Sequence, residues 1–151
     1  MIMASLNLIL TTLKTDLSTK IDPANDYSTK PFVKHGIYSR TALDGKFPTV
    51  CFEIIKEEIA SAMAGNRVQM NYFITIYGYA KSEGIKNTDA IRKLAHDVLY
   101  FIFSDDWTYT TDTWIVSELT YSISTETDNV SMFDFTIKIK DTLDVSTIKE
   151  I

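Results

Sequence analysis

The residues that could perform nucleophilic catalysis in this chain are one cysteine and two histidines. Cys51 lies in an apolar, strand-like run, His35 lies in a region without periodicity, and His96 lies off the apolar stripe of a predicted helix. A nucleophile needs an oriented base within hydrogen-bond reach and donors for the developing oxyanion. No glycine-rich turn of that kind surrounds Cys51 or His35. A buried, unreactive Cys51 is therefore favoured over a Cys51–His35 pair.

The acidic residues do not have the spacing of a metal site. Asp105, Asp106 and Asp112 lack the glycine and the terminal glutamate of a calcium loop, and the histidines and cysteine give no zinc spacing. Glu118 and Asp134 could lie on neighbouring strands as paired carboxylates, but solvated acids are the simpler interpretation. The five glycines are scattered singly, without a phosphate-binding loop. We predict no catalytic residue, no metal site and no cofactor.

The composition is that of a folded globular chain whose charges are unevenly distributed. The 151 residues are 45% hydrophobic and 23% charged, with a net charge of −5, which argues against a surface that neutralises nucleic-acid phosphates. The stretch Leu94–Ile137 holds eight acids and neither lysine nor arginine, whereas the remainder has 15 bases and 12 acids. The longest uncharged apolar run, Val98–Phe103, is far shorter than a membrane span, and the N-terminus lacks the pattern of a signal peptide. We expect no membrane partner, and the single cysteine indicates a reducing compartment.

Two helices and two hairpins are predicted to position these residues. Apolar residues recur at helical spacing between Ser5 and Lys20 and between Thr88 and Phe103. A period of two over Val68–Tyr79 predicts a long strand, which pairs through a turn at Ala64-Gly65-Asn66 with a shorter strand, Thr49–Ile55.

A second hairpin is predicted after the second helix, from Ile115–Ile123 and Phe133–Ile139. The expected fold class is therefore α+β, with an antiparallel sheet of about four strands, two helices packed on one face and the order α-β-β-α-β-β. One domain is expected over residues 1–151.

Two regions do not belong to this minimal set of elements. Residues 21–46 hold two prolines and two glycines with little periodicity, which predicts a long loop. Its apolar residues dock either onto a neighbouring molecule or back onto the same domain. The C-terminal tail, 141–151, is polar with spaced apolar residues, and is either an arm that becomes ordered on assembly or a frayed end.

The second face of the predicted sheet is rich in aromatic residues. If the helices cover one side of the long strand, its other side shows aromatic rings, and two tryptophans follow the second helix. Tyrosine and tryptophan are enriched where proteins meet proteins, although completing the domain's own core is an equal alternative. Together with apolar residues of the long loop, the candidate interface residues are Phe32, Ile37, Tyr38, Phe73, Tyr77, Tyr79, Trp107 and Trp114.

The order of elements resembles that of the small tail terminator, or tail completion, proteins of long-tailed bacteriophages. The similarity covers nearly the whole chain as a pattern of elements, without a short diagnostic motif. It is carried by the helix Leu6–Leu17, the loop ending in Asp44-Gly45-Lys46-Phe47-Pro48-Thr49-Val50, the strand ending in Ile74-Thr75-Ile76-Tyr77-Gly78, the helix opening near Asn87-Thr88-Asp89 and the closing strand pair. The long loop departs from shorter relatives, which leaves its role open.

The resemblance implies a virion protein, assembled in the host cytoplasm, that forms a ring of six subunits on the head-proximal end of the tail tube. Its partners would be copies of itself, the tail tube protein and the head connector or completion protein, and DNA would pass through without specific binding. Glu118, Glu126 and Asp128 are candidate acids of the channel, where they would repel DNA. The alternatives are a head-completion or other neck protein, and a small enzyme or ligand-binding domain with a pocket between helices and sheet.

Overall fold

A computed structural model describes residues 5–43, 45–63, 65–82, 88–123 and 129–144. In this part of the chain, two α-helices and six strands form two layers. None of the described helices is long and apolar enough to cross a membrane. The elements are α1 (Ser5–Lys20), β1 (Phe32–His35), β2 (Thr49–Met63), β3 (Arg67–Lys81), α2 (Asp89–Ile102), β4 (Thr113–Ile115), β5 (Thr120–Ser122) and β6 (Val130–Asp144), with short 3-10 turns at Pro23–Asn25, Arg40–Leu43 and Thr110–Asp112.

The strands form one mixed sheet in the order β1-β2-β3-β6-β4, with β5 also paired to β6. The long strands β2, β3 and β6 are antiparallel neighbours, whereas β1 runs parallel to β2. The tight β2–β3 turn contains Gly65 (φ 77°) and Asn66 (φ 61°), the residue types that adopt left-handed backbone most readily. The sheet therefore has β3 at its centre.

Both helices pack on one face of the sheet because their apolar stripes match the alternation of the central strands. Alternate residues of β3 and β6 point to the helices, and each large apolar side chain buried there stabilises the fold by about 1.5–3 kcal/mol. The main members of this core are Ile9, Leu13 and Leu17 of α1, Ile91, Leu94, Val98 and Phe101 of α2, Tyr72, Ile74 and Ile76 of β3, and Phe133, Phe135, Ile137 and Ile139 of β6.

A buried carboxylate fastens the segment between α1 and β1 to α2. Asp97 is 7% exposed, and its two oxygens accept hydrogen bonds from the backbone N–H groups of Ser28 (3.1 Å) and Thr29 (2.7 Å). The Thr29 hydroxyl donates to the same carboxylate at 2.5 Å. Nearby, the hydroxyl of Tyr27 donates to Asp106 at 2.7 Å. Two residues of the acidic stretch are therefore used inside the fold.

The α+β class and the two helices confirm the sequence-based prediction, but the sheet differs from it in detail. Four antiparallel strands were expected, whereas β1 adds a parallel strand inside the predicted loop 21–46. The predicted strand Ile115–Ile123 is divided into β4 and β5. The division lies at Val116 and Ser117. Val116 N–H still donates to Thr136 O (3.0 Å), but Thr136 N–H donates to the side-chain hydroxyl of Ser117 (2.6 Å) and not to a backbone carbonyl, so the regular ladder is interrupted there.

The strand β2 is also longer than predicted. It continues from Ile55 to Met63 because two register shifts, at Ile54/Lys56 and Ile59/Ser61, let it stay paired with β3 while its side-chain alternation is broken. A break in alternation removes the period of two by which a strand is recognised. Residues 141–144 of the predicted tail belong to β6, and residues 145–151 lie outside the described residues.

The closest approach between the two layers occurs at Gly78, and it gives a first prediction. A Cβ at this position would overlap with Cε1 of Phe133 and lie 3.0 Å from Cδ2 of Leu94 on α2. We expect Gly78→Ala to lower the free energy of unfolding by about 1–3 kcal/mol, the usual result of overpacking a core. Urea unfolding followed by circular dichroism measures the change. Gln69→Ala, on the same strand, is the control, and equal stability of the two variants would contradict the prediction.

Candidate interaction face of the sheet

The face of the sheet that points away from the helices, here called the open face, is partly covered by residues 36–43. Leu43 packs there against Cys51 and Tyr77, with Tyr38 and Tyr79 at the margin. The Tyr77 hydroxyl donates to Gly36 O at 2.5 Å and accepts from Tyr38 N–H at 2.9 Å. The Tyr79 hydroxyl donates to Tyr38 O at 3.1 Å. Two tyrosines of β3 thus hold this segment on the sheet.

The covered part of the open face is not arranged for nucleophilic catalysis. Burial raises the pKa of Tyr77, and burial raises the pKa of the Cys51 thiol to about 11. The register of β1 on β2 pairs Lys34 with Cys51 and His35 with Phe52, so Cys51 and His35 point to opposite faces of the sheet. The His35 ring stacks on Phe52, at 5.0 Å between centroids. Cys51 is a buried structural thiol, as the sequence indicated.

Next to the covered part lies a shallow apolar groove of about 270 Å³. Ile37 and Ile55 line the groove and are 78% and 57% exposed. Tyr77, Thr75 and Met132 also line it, together with two carboxylates, Glu53 and Asp134. The groove therefore combines exposed apolar side chains with negative charge.

Beyond the groove, four side chains form a row across the sheet in which cations and aromatic rings alternate. The pairing places Lys56 of β2 beside Phe73 of β3, Phe73 beside Lys138 of β6, and Lys138 beside Trp114 of β4. Lys56 Nζ lies 5.0 Å from the Phe73 ring centroid, and Lys138 Nζ lies 5.4 Å from that of Trp114. These are cation–π distances. We call this set the cationic row; the exposed Lys140 lies on the same face, in the next rank.

The structure brings only some of the predicted interface residues together on an accessible surface. Ile37 borders the groove, Phe73 and Trp114 belong to the cationic row, and Trp114 is 44% exposed. Phe32 is half-exposed on the edge strand β1. Tyr38 and Tyr79 are half-buried, and Tyr77 is buried by its role in holding residues 36–43.

Trp107 is not available as an interface residue on this chain. It is 1% exposed in the core on the helix side, where its Nε1–H donates to Thr113 Oγ1 at 3.0 Å and its ring contacts Phe101. Of the predicted channel acids, Glu118 is exposed between β4 and β5, and Glu126 and Asp128 lie outside the described residues. In the described ranges no three His, Cys, Asp or Glu residues are grouped to hold a metal ion.

The sequence-based reasoning missed the lysines of the row and Ile55. The signal for Lys138 and Lys140 was present, since both alternate with the apolar residues of β6 and must therefore face away from the helices. Their approach to Phe73 and Trp114 depends on the register between distant strands, which alternation alone does not give.

No protein-family model matches the chain, and no curated protein matches it either.

The hydroxyl of Tyr77 gives a second prediction, because it satisfies two backbone groups of residues 36–43. We expect Tyr77→Phe to loosen this segment by about 1–3 kcal/mol, since Gly36 O and Tyr38 N–H lose their partner. Cys51, the single cysteine, lies beneath the segment and reports its opening. Labelling by a disulfide reagent should become about 5- to 150-fold faster.

Tyr100→Phe is the matched control for this measurement, because Tyr100 is 66% exposed and lies on α2, far from the segment. It should label at the wild-type rate. Unchanged labelling of Tyr77→Phe would show that the hydroxyl does not hold the segment closed.

Cys51 also gives a prediction about pH. Its pKa is raised from an ordinary value of 9.0 to about 11, so the folded chain keeps a proton that the unfolded chain releases. The contribution of the buried thiol to stability is complete below pH 9 and is lost as the pH rises to about 11. Cys51→Ala lacks this contribution. The difference in free energy of unfolding between wild type and Cys51→Ala should therefore fall between about pH 9 and pH 11, and a constant difference would contradict the prediction.

Proposed function

We propose that this chain is a structural protein of a phage virion, which closes the tail tube as a homo-oligomeric ring and provides a surface for joining the head. The observation that supports the proposal most is the open face, which exposes the apolar groove and the cationic row side by side. The resemblance in the order of elements supplies the kind of assembly. The ring of six copies, the virion location and the passage of DNA are parts of the same proposal.

The composition of the open face supports contact with another protein. Exposed aromatic and long aliphatic residues at the centre of a surface are the usual sources of binding energy at protein interfaces. Trp114, Ile37 and Ile55 provide exposed residues of this kind, and Ile37 and Ile55 are more than half exposed. Phe73 is half-buried between Lys56 and Lys138. Exposed apolar groups grouped in this way are typical of an interaction site.

The free edge of β2 is not suited to pairing with a strand of another subunit. We therefore expect subunits to meet through a face of the sheet. Beyond Phe52, no described strand pairs with this edge of β2. The edge carries Lys56, Glu57 and Glu58 and two register shifts. Charged residues and bulges are the features by which proteins prevent strand-to-strand pairing at an edge. The proposed ring therefore uses the open face.

Two alternatives remain as second candidates. A head-completion or neck protein would use the same kind of surface and differs in its partner. A ligand-binding domain or enzyme would use a cleft of about 580 Å³ between residues 45–48, the end of β3 and the start of α2, which Lys81, Asp89 and Lys93 help to line. The mixed charge of this cleft is the observation that favours the second alternative.

The decisive experiment measures the mass of the purified chain by light scattering, with and without the tail tube protein. Six copies of 17.2 kDa give about 103 kDa, the mass expected for the ring. We also expect tubes assembled in its presence to stop growing. Phe73→Ala with Trp114→Ala should abolish both effects, since truncating aromatic residues central to an interface costs about 2 kcal/mol or more each.

Leu8→Ala is the control, because Leu8 is a comparably exposed apolar residue on α1, at 49% exposure. It should leave the ring and the tubes unchanged. A chain that remains monomeric and does not affect tube growth would overturn the proposal and direct attention to the cleft.

A further inference from the structure

The apolar groove of the open face has the size and lining of a site for a protein side chain. Its volume, about 270 Å³, lies below the range of about 300–1,000 Å³ in which most small-molecule sites fall. Ile37 and Ile55 are 78% and 57% exposed beside it, and Met132, whose thioether adapts to the shape of its neighbours, lies in the wall. An aliphatic side chain from outside would remove this apolar surface from water.

One of the two carboxylates of the groove has no partner in the described part of the chain. Glu53 already pairs with His35 Nε2 at 3.0 Å. In contrast, no described residue forms a hydrogen bond or an ion pair with the carboxylate of Asp134, which is half-buried on β6. Lys56 and Lys138 of the cationic row are directed at aromatic rings instead. The groove is therefore complementary to an aliphatic residue with a cation beside it.

The residues that follow β6 offer this combination. Residues 145–151, which lie outside the described part of the chain, read Val-Ser-Thr-Ile-Lys-Glu-Ile, and Ile148 is followed directly by Lys149. The isoleucine has the branched aliphatic side chain that an apolar groove accepts. The long stem of the lysine lets its ammonium reach a carboxylate at the rim.

The reach of the chain decides which copy this segment can bind. The strand β6 ends at Asp144, and Ile148 is four residues further on, at most about 14 Å away. Ile55, the lining residue nearest to this end of the sheet, is level with residues 137–138 of β6, at least six residues before Asp144 and two strands to the side. That separation is about 20 Å or more. Ile148 therefore does not reach the groove of its own chain, but it can reach the groove of another copy.

We propose that Ile148 of one copy occupies the apolar groove of the next copy, with the Lys149 ammonium beside Asp134. The inference rests on the proposed ring and specifies one contact that joins its members. The groove and the end of β6, from which the segment departs, are separate places on the sheet, so each copy offers unlike surfaces to its two neighbours. Contacts between unlike surfaces are what a closed ring of identical subunits requires.

Disulfide trapping in full-length chains tests this contact. Cys51 is buried, so a cysteine introduced at position 55 or 148 is the accessible thiol. Under mild oxidation, a mixture of Ile55→Cys and Ile148→Cys should form linked pairs of chains, with twice the mass of 17.2 kDa, about 34 kDa, on a non-reducing gel. We expect these pairs to form at least about 10-fold faster than in the control mixture of Leu8→Cys and Ile148→Cys, because docking raises the local thiol concentration. Leu8 is 49% exposed on α1.

A chain that carries both cysteines distinguishes the copies. Ile55→Cys with Ile148→Cys in one chain should give linked chains of two, three and more copies. A disulfide confined to single chains would mean that the segment binds its own groove, and it would overturn the inference.

Exchange of charges tests the ion pair. Asp134→Lys and Lys149→Asp should each weaken association about 2- to 10-fold by light scattering, because attraction is replaced by repulsion. The two substitutions together in one chain restore opposite charges and should recover most of the loss, which a misfolded Asp134→Lys chain would not do. Asp134→Lys with Lys93→Asp is the matched control, since Lys93 is exposed on α2 and should give no recovery.

The outcomes separate this inference from the proposed function. Wild-type rings without linked pairs above the Leu8 control would overturn the docking and leave the ring proposal standing. A wild-type chain that stays monomeric with and without the tail tube protein, and gives no linked pairs, would overturn both. If Ile55→Asp abolishes binding of the tail tube protein while rings persist in Ile55→Asp and Ile148→Asp, the groove would belong to the tube protein instead.

Discussion

The rest of this structure depends on the pairing of β3 with β6. Fifteen consecutive residue pairs join these strands without a register shift, so the alternation of side chains is the same along their whole shared length. One set of alternate residues is apolar and buries both helices. The other set is thereby directed away from the helices, including Phe73 and Lys138. A shift of one residue would exchange the core for the open face.

The extent to which the sequence predicted this fold follows from the length of each periodic pattern. The helices and β3 repeat one period over 14 to 16 residues, and they were predicted almost at their observed bounds. The strand β1 has only four residues and is stabilised by parallel pairing with β2. Such a short strand shows no periodic pattern in the sequence. The candidate site was predicted in the same uneven way. Phe73 and Trp114 were expected on a surface, but the buried Trp107 depended on how the connection after α2 folds back.

Counting charges along the sequence identifies an acidic stretch, but it does not show which of the acids are hydrogen-bonded inside the fold and which are exposed. Asp97 and Asp106 accept hydrogen bonds inside the fold and stabilise the segment after α1. Asp105 and Asp112 are exposed on the surface. The same residue type is thus hydrogen-bonded inside the fold at some positions and exposed to solvent at others, because burial and nearby donors differ.

The bond between Asp97 and residues 28–29 has a consequence for the order in which the chain folds. The partners are separated by 68 and 69 positions, and those of the Tyr27–Asp106 bond by 79. Contacts of such long range form slowly, because a large loop must close before they stabilise anything. During synthesis, the segment between α1 and β1 leaves the ribosome well before α2, its docking site, exists. The β2–β3 hairpin is built from local pairs, whereas Ser28 and Thr29 gain their bonds to Asp97 only once α2 has formed.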